Sequence, residues 1–228
     1  MNQDTIYQIA TWMVPLIIAI VFHEVAHGLV ARRLGDPTAA QLGRLTLNPI
    51  RHVDPFGTII LPMILAIAHA PIFGWAKPVP VNYQRLRNPR RDMVLVALAG
   101  PGMNLLLAVI GTVIVGATVW ASAGELSPTT TFIVQNAINF VLINIFLAIF
   151  NLIPLPPFDG GHVVEGLLPD GAAQRFRSIG RFSLLVFVFL LLILPMISPS
   201  ADIVRRVVSP IVDNLAGWLL GIAGVNIG

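Results

Sequence analysis

The stretch MVPLIIAIVFHEVAHGLVARRL, Met13–Leu34, decides how the chain is read. It is long and apolar enough for a membrane helix, which needs roughly 20 such residues. Yet it carries three ionisable side chains together, in His23-Glu24-Val25-Ala26-His27. Ionisable groups inside a membrane helix are expensive and by default mark a functional site. HExxH on a helix is a zinc-hydrolase pattern. At about 3.6 residues per turn and 1.5 Å per residue, His23 and His27 share one face about 6 Å apart and can grip one ion. Glu24 lies one residue on, near the ion but angled away from the ligand pair. That is the place for a general base that activates water. Such a centre still needs a third protein ligand and one open position.

The rest of the composition agrees with a membrane location. Of 228 residues, 56% are hydrophobic and 11% charged, against about 25% charged in an ordinary soluble domain. Mean hydropathy is +0.82. Such a chain cannot cover a water-facing surface, so the lipid bilayer is its expected surroundings. The formal net charge of +3 is small and clustered. It suits cytoplasmic loops, and no nucleic-acid partner is expected. There is no cysteine, which excludes disulfides and Cys-ligated zinc and leaves His, Asp and Glu as metal ligands. Asp4 is the only charge before the first apolar run, so a cleaved signal peptide is not expected.

Apolar segments fall at about Thr5–Leu34, Phe56–Trp75, Met93–Ala121, Thr131–Ile153 and Ile179–Met196, with a sixth stretch at Val207–Ile222 broken by Asp213. Short loops rich in Lys and Arg are cytoplasmic. Arg32, Arg33, Arg44 and Arg51 follow the first segment; Lys77, Arg85, Arg87, Arg90 and Arg91 precede the third; Arg175, Arg177 and Arg181 lie between the fourth and fifth. The second segment then starts and ends on the same side. Its Gly57, Pro62 and Pro71 fit a re-entrant hairpin, tolerated where protein or a water-filled cavity satisfies the backbone. Between the first two segments, Gly43, Leu45 and Leu47 alternate with Arg44, Thr46 and Asn48, which predicts a small β-hairpin over Thr38–Asp54. The expected architecture is an all-α polytopic membrane protein of about five to six membrane segments, one of them re-entrant, with that hairpin at the cytoplasmic rim. The chain reads as one membrane-embedded domain over 1–228, with a core at about 5–168 and C-terminal helices at 178–224.

Candidates for the third ligand are few. Asp159 stands out in NLIPLPPFDGGH, Asn151–His162. Pro154, Pro156 and Pro157 forbid regular helix there, and Gly160-Gly161 permit tight turning. The result is a rigid, unwound piece of chain carrying a carboxylate at the cytoplasmic end of the fourth segment. His27 lies five residues before Arg32, at a similar depth. His162 is expected as a rim histidine rather than a fourth ligand. Loop or packing roles are expected for His52 and His69, and helix packing for Asn104.

HEVAH in the first membrane helix, Ala99-Gly-Pro-Gly-Met-Asn104 opening another and NLIPLPPFDGG ending a third resemble the site-2 protease family of intramembrane zinc metalloproteases, peptidase family M50. Gly35-Asp-Pro-Thr, Gly43-Arg-Leu-Thr-Leu-Asn-Pro49 and Phe73-Gly-Trp-Ala-Lys-Pro-Val-Pro-Val-Asn82 are similar to its small prokaryotic members. The resemblance covers about Val21–Leu168. It implies one Zn2+ per chain on His23, His27 and Asp159, with Glu24 as catalytic base. Asn151 would steady the substrate or the oxyanion. Phe158 departs from the family's usual Leu-Asp-Gly, and no PDZ or CBS domain fits in the chain. The implied activity is a zinc metalloendopeptidase that cuts peptide bonds within or next to transmembrane segments of other proteins. It would sit in a prokaryotic plasma membrane with its site toward the cytoplasm; homo-oligomerisation is left open. A metal carrier could use the same three ligands. It would lack a reason for Glu24, and the internal repeats usual in transporters are not found.

Overall fold

A computed structural model describes residues 3–67, 74–122, 125, 127–180, 182, 185, 189, 193–198, 202 and 204–225. These residues are helical or irregular, with no strand among them. Helix α1 spans Gln3–Arg33, α4 Pro89–Ala121 and α5 Pro128–Asn151. Thr11–Arg33 within α1, together with α4 and α5, gives three helices long and apolar enough to cross a membrane. Each start is written locally. Pro89 and Pro128 occupy first-turn positions, where a missing N–H costs nothing. Ser127 caps α5 by accepting from Thr130 N at 3.2 Å. The α5 helix stops at Asn151 because three prolines follow within six residues.

Contacts along these helices fix their directions. His23 meets Asn104, and His27 meets Val96, so α4 runs antiparallel to α1. Thr11 meets Asn139 and Ala19 meets Asn104, which in turn meets Asn144, so α5 runs parallel to α1. The pattern of burial is inverted relative to a water-soluble bundle. Asn104 and Asn144 have no exposed surface, while Leu106, Val109 and Val113 on α4 are about half exposed or more. Polar residues joining helices inside and aliphatic residues outside are what lipid as solvent demands.

The first link departs from expectation. No hairpin forms over 38–54. Helix α2 spans Thr38–Gln41, residues 44–48 are irregular, and Pro49–His52 makes a 3-10 turn. Asp36 starts α2 by accepting from Thr38 N at 3.0 Å. Asn48 and Pro49 start the next turn, with Asn48 Oδ1 accepting from Ile50 N at 3.1 Å. These caps favour local helical turns over a ladder. A wide helical turn, Pro55–Ile60, then runs into α3, Leu61–Ile67. The chain returns as an extended segment, 74–82, with Trp75 N donating to Gly57 O at 3.1 Å.

Beyond α5, the proline turn leads into α6, Asp159–Leu167, and α7, Asp170–Gly180. A Cβ on Gly161 would lie 2.8 Å from Pro156 N, so only glycine lets α6 begin this close to the turn. Half of the expected fifth segment, 179–196, lies outside the described residues, as does His69. The sixth stretch is helical without a break from Val204 to Ile222. Its Val208, Val212, Ala216 and Leu220 pack with Val115 of α4 and with Val141 and Ile145 of α5 in the main apolar core.

Candidate metal centre

His23 and His27 are buried and sit one turn apart on α1. Their Nε2 atoms are 3.0 Å from each other. Asp159, at the first position of α6, places Oδ2 3.2 Å from His23 Nε2 and 3.4 Å from His27 Nε2. Ligands held about 2.0–2.1 Å from zinc in a tetrahedron lie about 3.3 Å from one another. The three edges of this triangle therefore have the size a single zinc ion sets.

The outer hydrogen bonds settle which nitrogens face inward. His27 Nδ1 is 2.7 Å from Val96 O, and His23 Nδ1 is 2.5 Å from Asn104 Oδ1. The Asn104 amide nitrogen donates to Asn144 Oδ1 at 2.8 Å and to Ala19 O at 3.3 Å, so its oxygen faces the imidazole. Both partners can only accept. Each Nδ1 therefore carries the proton, and each Nε2 presents a lone pair. Asp159 Oδ2 is buried and receives no hydrogen bond. Two lone pairs and an unpartnered carboxylate oxygen converging in a dry site call for a cation. Asp159 supplies the third donor atom of the group. Nitrogen, nitrogen and carboxylate oxygen form a donor set that suits zinc. Among the described residues no second group of this kind occurs.

Gly100 explains how α4 comes so near. A Cβ there would lie 2.6 Å from His23 Nε2 and would also strike His27. Gly100 and Asn104 are four residues apart, on one face of α4, and that face is what the two histidines touch. Sequence reasoning gave Asn104 to helix packing; it does join α4 to α1 and α5, and its oxygen also faces His23 Nδ1. The available signal was a lone amide in an apolar helix, one turn after a glycine.

The site opens onto a cavity of about 540 Å³. Glu24, Asn151, Phe158 and His162 line it, as does part of the extended segment 74–82. Glu24 Oε2 accepts from Val79 N at 2.7 Å. The Asn151 amide donates to Leu147 O, 2.9 Å away on its own helix. His162 is exposed at the cavity wall and does not join the three converging atoms. His52 is buried away from the site, with Nε2 2.9 Å from Thr46 O, and its carbonyl accepts from Lys77 N at 2.8 Å.

Comparisons with known proteins agree with this centre. The model for peptidase family M50 matches residues 11–194. YwhC of Bacillus subtilis (strain 168), named as a candidate zinc metalloprotease, is 37% identical over 210 residues, covering 89% of this chain and 93% of YwhC. Rip2 of Mycobacterium tuberculosis (strain H37Rv), named likewise, is 30% identical over 188 residues, 82% of this chain and 66% of Rip2. Rip2 of Mycolicibacterium smegmatis is 28% identical, covering 81% of this chain and 66% of Rip2. No solved structure matches. The family match runs through both parts of the chain that supply the three converging side chains, and on it the chain belongs to peptidase family M50.

Proposed function

We propose that the protein is an intramembrane zinc metalloprotease, hydrolysing peptide bonds within or next to transmembrane segments of membrane proteins, as in regulated intramembrane proteolysis. One observation carries the reading: the His23, His27 and Asp159 donor set is enclosed by helices long and apolar enough to cross a membrane. These three residues would hold one zinc, and the chemistry it would supply is Lewis-acid polarisation of the scissile carbonyl and acidification of the attacking water. Glu24 is the base; with Oε2 held by Val79 N–H, Oε1 is left as proton acceptor. Asn151 steadies the substrate carbonyl, for which its amide must leave Leu147 O.

A substrate helix hides its peptide bonds in its own hydrogen bonds and must unwind before attack. The hairpin expected over Thr38–Asp54 forms no strand and so offers no edge to a substrate. Arg32 and Arg33 end α1, and Arg90 and Arg91 open α4, at the end of the bundle nearest the ligands. The positive-inside rule puts that end toward the cytoplasm of a prokaryotic plasma membrane. The bond from Trp75 N to Gly57 O ties together the two ends of the proposed re-entrant segment.

The test is Glu24→Gln. Zinc should stay at one per chain while hydrolysis falls at least about a hundredfold, the usual scale for removing a general base. Comparing membrane proteomes of cells carrying wild type and variant should then reveal uncut membrane proteins. Hydrolysis within twofold of wild type overturns the base. Equal cleavage of a soluble unfolded protein and of membrane spans overturns the intramembrane reading.

A further inference from the structure

Glu24 is not oriented by its own helix. Its Oε2 accepts a hydrogen bond from Val79 N, in the segment 74–82. That donor is isolated, because Val79 lies between Pro78 and Pro80, neither of which has an N–H. The position of one backbone N–H therefore sets where the carboxylate sits, and the question is what sets the N–H.

Arg44 does. It belongs to the irregular link after α2, is 9% exposed and has no carboxylate partner among the described residues. Its Nη2 donates to Lys77 O at 2.8 Å and reaches Pro78 O at 3.4 Å. Pro78 O belongs to the same peptide unit as Val79 N. The guanidinium therefore holds one side of the unit whose other side holds Glu24. Desolvating a guanidinium without an anionic partner is costly, and two main-chain carbonyls are a modest return in stability. The remaining anchors of the segment grip further away. Trp75 N bonds Gly57 O, Lys77 N bonds His52 O and Asn82 N bonds Asp36 Oδ2.

We infer that Arg44 is a positioning residue for catalysis: it fixes the Pro78–Val79 peptide so that the Val79 N–H holds Glu24 in place to take a proton. The inference rests on the proposed role of Glu24. The hydrogen bonds of Arg44 go to main-chain carbonyls and to no metal ligand or cavity side chain, so the inference predicts a loss in turnover with metal and substrate binding intact.

The experiment is a double-mutant cycle on the full chain in proteoliposomes, using a membrane-spanning substrate identified by the proteome comparison. Arg44→Met removes the clamp. Val79→Pro removes the N–H while keeping an extended, proline-compatible backbone. Each should lower kcat about tenfold, on the scale of misplacing a catalytic group by a fraction of an ångström. KM should stay within about twofold, and zinc at one per chain. Because both act through one bond, the double variant should lose about tenfold, not the hundredfold that independent sites would give. Arg44→Lys, which keeps a donor but not the fork, should restore kcat to within about threefold of wild type. An Arg44→Met kcat within twofold of wild type overturns the inference, as does a multiplicative double variant or a loss carried in KM. If Arg44→Met does not fold, the Arg44→Lys and Val79→Pro pair decides by the same multiplicative criterion. Glu24→Gln runs alongside. If it remains active, the proposed base falls; if it is inactive while the cycle is multiplicative, only the role of Arg44 falls.

Discussion

Asn104 is wholly buried, yet its amide is used on both ends. Its oxygen faces His23 Nδ1 and its nitrogen faces Asn144 and Ala19 O. Replacing it with Ala frees the His23 ring to turn and leaves Asn144 Oδ1 without a donor. Outer partners of metal-bound histidines are typically worth about 10–100-fold in affinity. Asn104→Ala should weaken zinc binding by that order in a competition assay with a chelating dye, and unchanged affinity would assign the residue to packing alone. Asp36 is a second wholly buried polar residue. Burial raises its carboxyl, but hydrogen bonds from the Thr38 side chain and from the Asn82 and Thr38 N–H groups outweigh that and hold it below the usual carboxylate range. A depressed folded-state value means the stabilisation is present above the unfolded value, about 3.9. It is lost as pH falls through the lower, folded one. Asp36→Asn would set an amide N–H against Asn82 N–H and should cost about 1–3 kcal/mol at neutral pH. Unfolding in detergent should show the gap between wild type and variant closing only below about pH 4. A gap constant down to pH 3 would mean that the charge plays no part.

Helix α4 shows how much an element's face can decide. Its glycine at position 100 lets it lie against both imidazoles, and a methyl group there would fall 2.6 Å from His23 Nε2. Alanine normally favours a helix interior by about 1 kcal/mol over glycine, so Gly100→Ala sets helix stability and metal geometry in opposition. The expected outcome is unchanged helical content by circular dichroism, with zinc affinity at least about tenfold weaker as the ligand pair is pushed apart. Retained zinc with full activity would show that α4 can slide away at no cost. The three long helices were legible in the sequence because a lipid-facing helix advertises itself by sheer apolar length, and HEVAH announced through the i, i+4 rule two imidazoles sharing one face. The link after α1 was not legible. Its alternation of residue types at Gly43–Asn48 has no counterpart in burial: Arg44 is buried, Leu45 and Thr46 are half-buried, and Leu47 and Asn48 are both exposed. A buried arginine donating to Lys77 O anchors the link without any strand, and only the distant partner reveals it.

At the scale of the whole molecule, two structures meet on α4 and α5. One is the apolar core where Val115, Val141, Ile145, Val212, Ala216 and Leu220 pack, in which no metal ligand takes part. The other is the metal centre, which joins α1 to the first residue of α6 across 132 positions of sequence, His27 to Asp159. Sequence reasoning singled out Asp159 in an unwound segment with three prolines and two glycines; the structure puts it beside both histidines, and Asp159-Gly160-Gly161 opens helix α6 instead of remaining unwound. The sequence did not display the outer amides, whose partners lie 81 and 40 residues away, from His23 to Asn104 and from Asn104 to Asn144. This division predicts how the protein responds to metal removal. The core does not need zinc, so chelation should leave helical content intact. The α6 onset does need it, since without a cation Asp159 Oδ2 is a buried, unpartnered oxygen facing two lone pairs. Ligand bound only by the folded state stabilises it by about 4 kcal/mol when present at about a thousand times its dissociation constant. For a chain of this size that is roughly 8–16 °C in apparent Tm. Phenanthroline treatment in detergent should therefore abolish hydrolysis and lower Tm by that amount, and both should return on adding zinc. An unchanged Tm on complete zinc removal would mean that α6 is held by protein contacts alone, and a collapse of helical content would mean that the core and the metal centre are one cooperative unit.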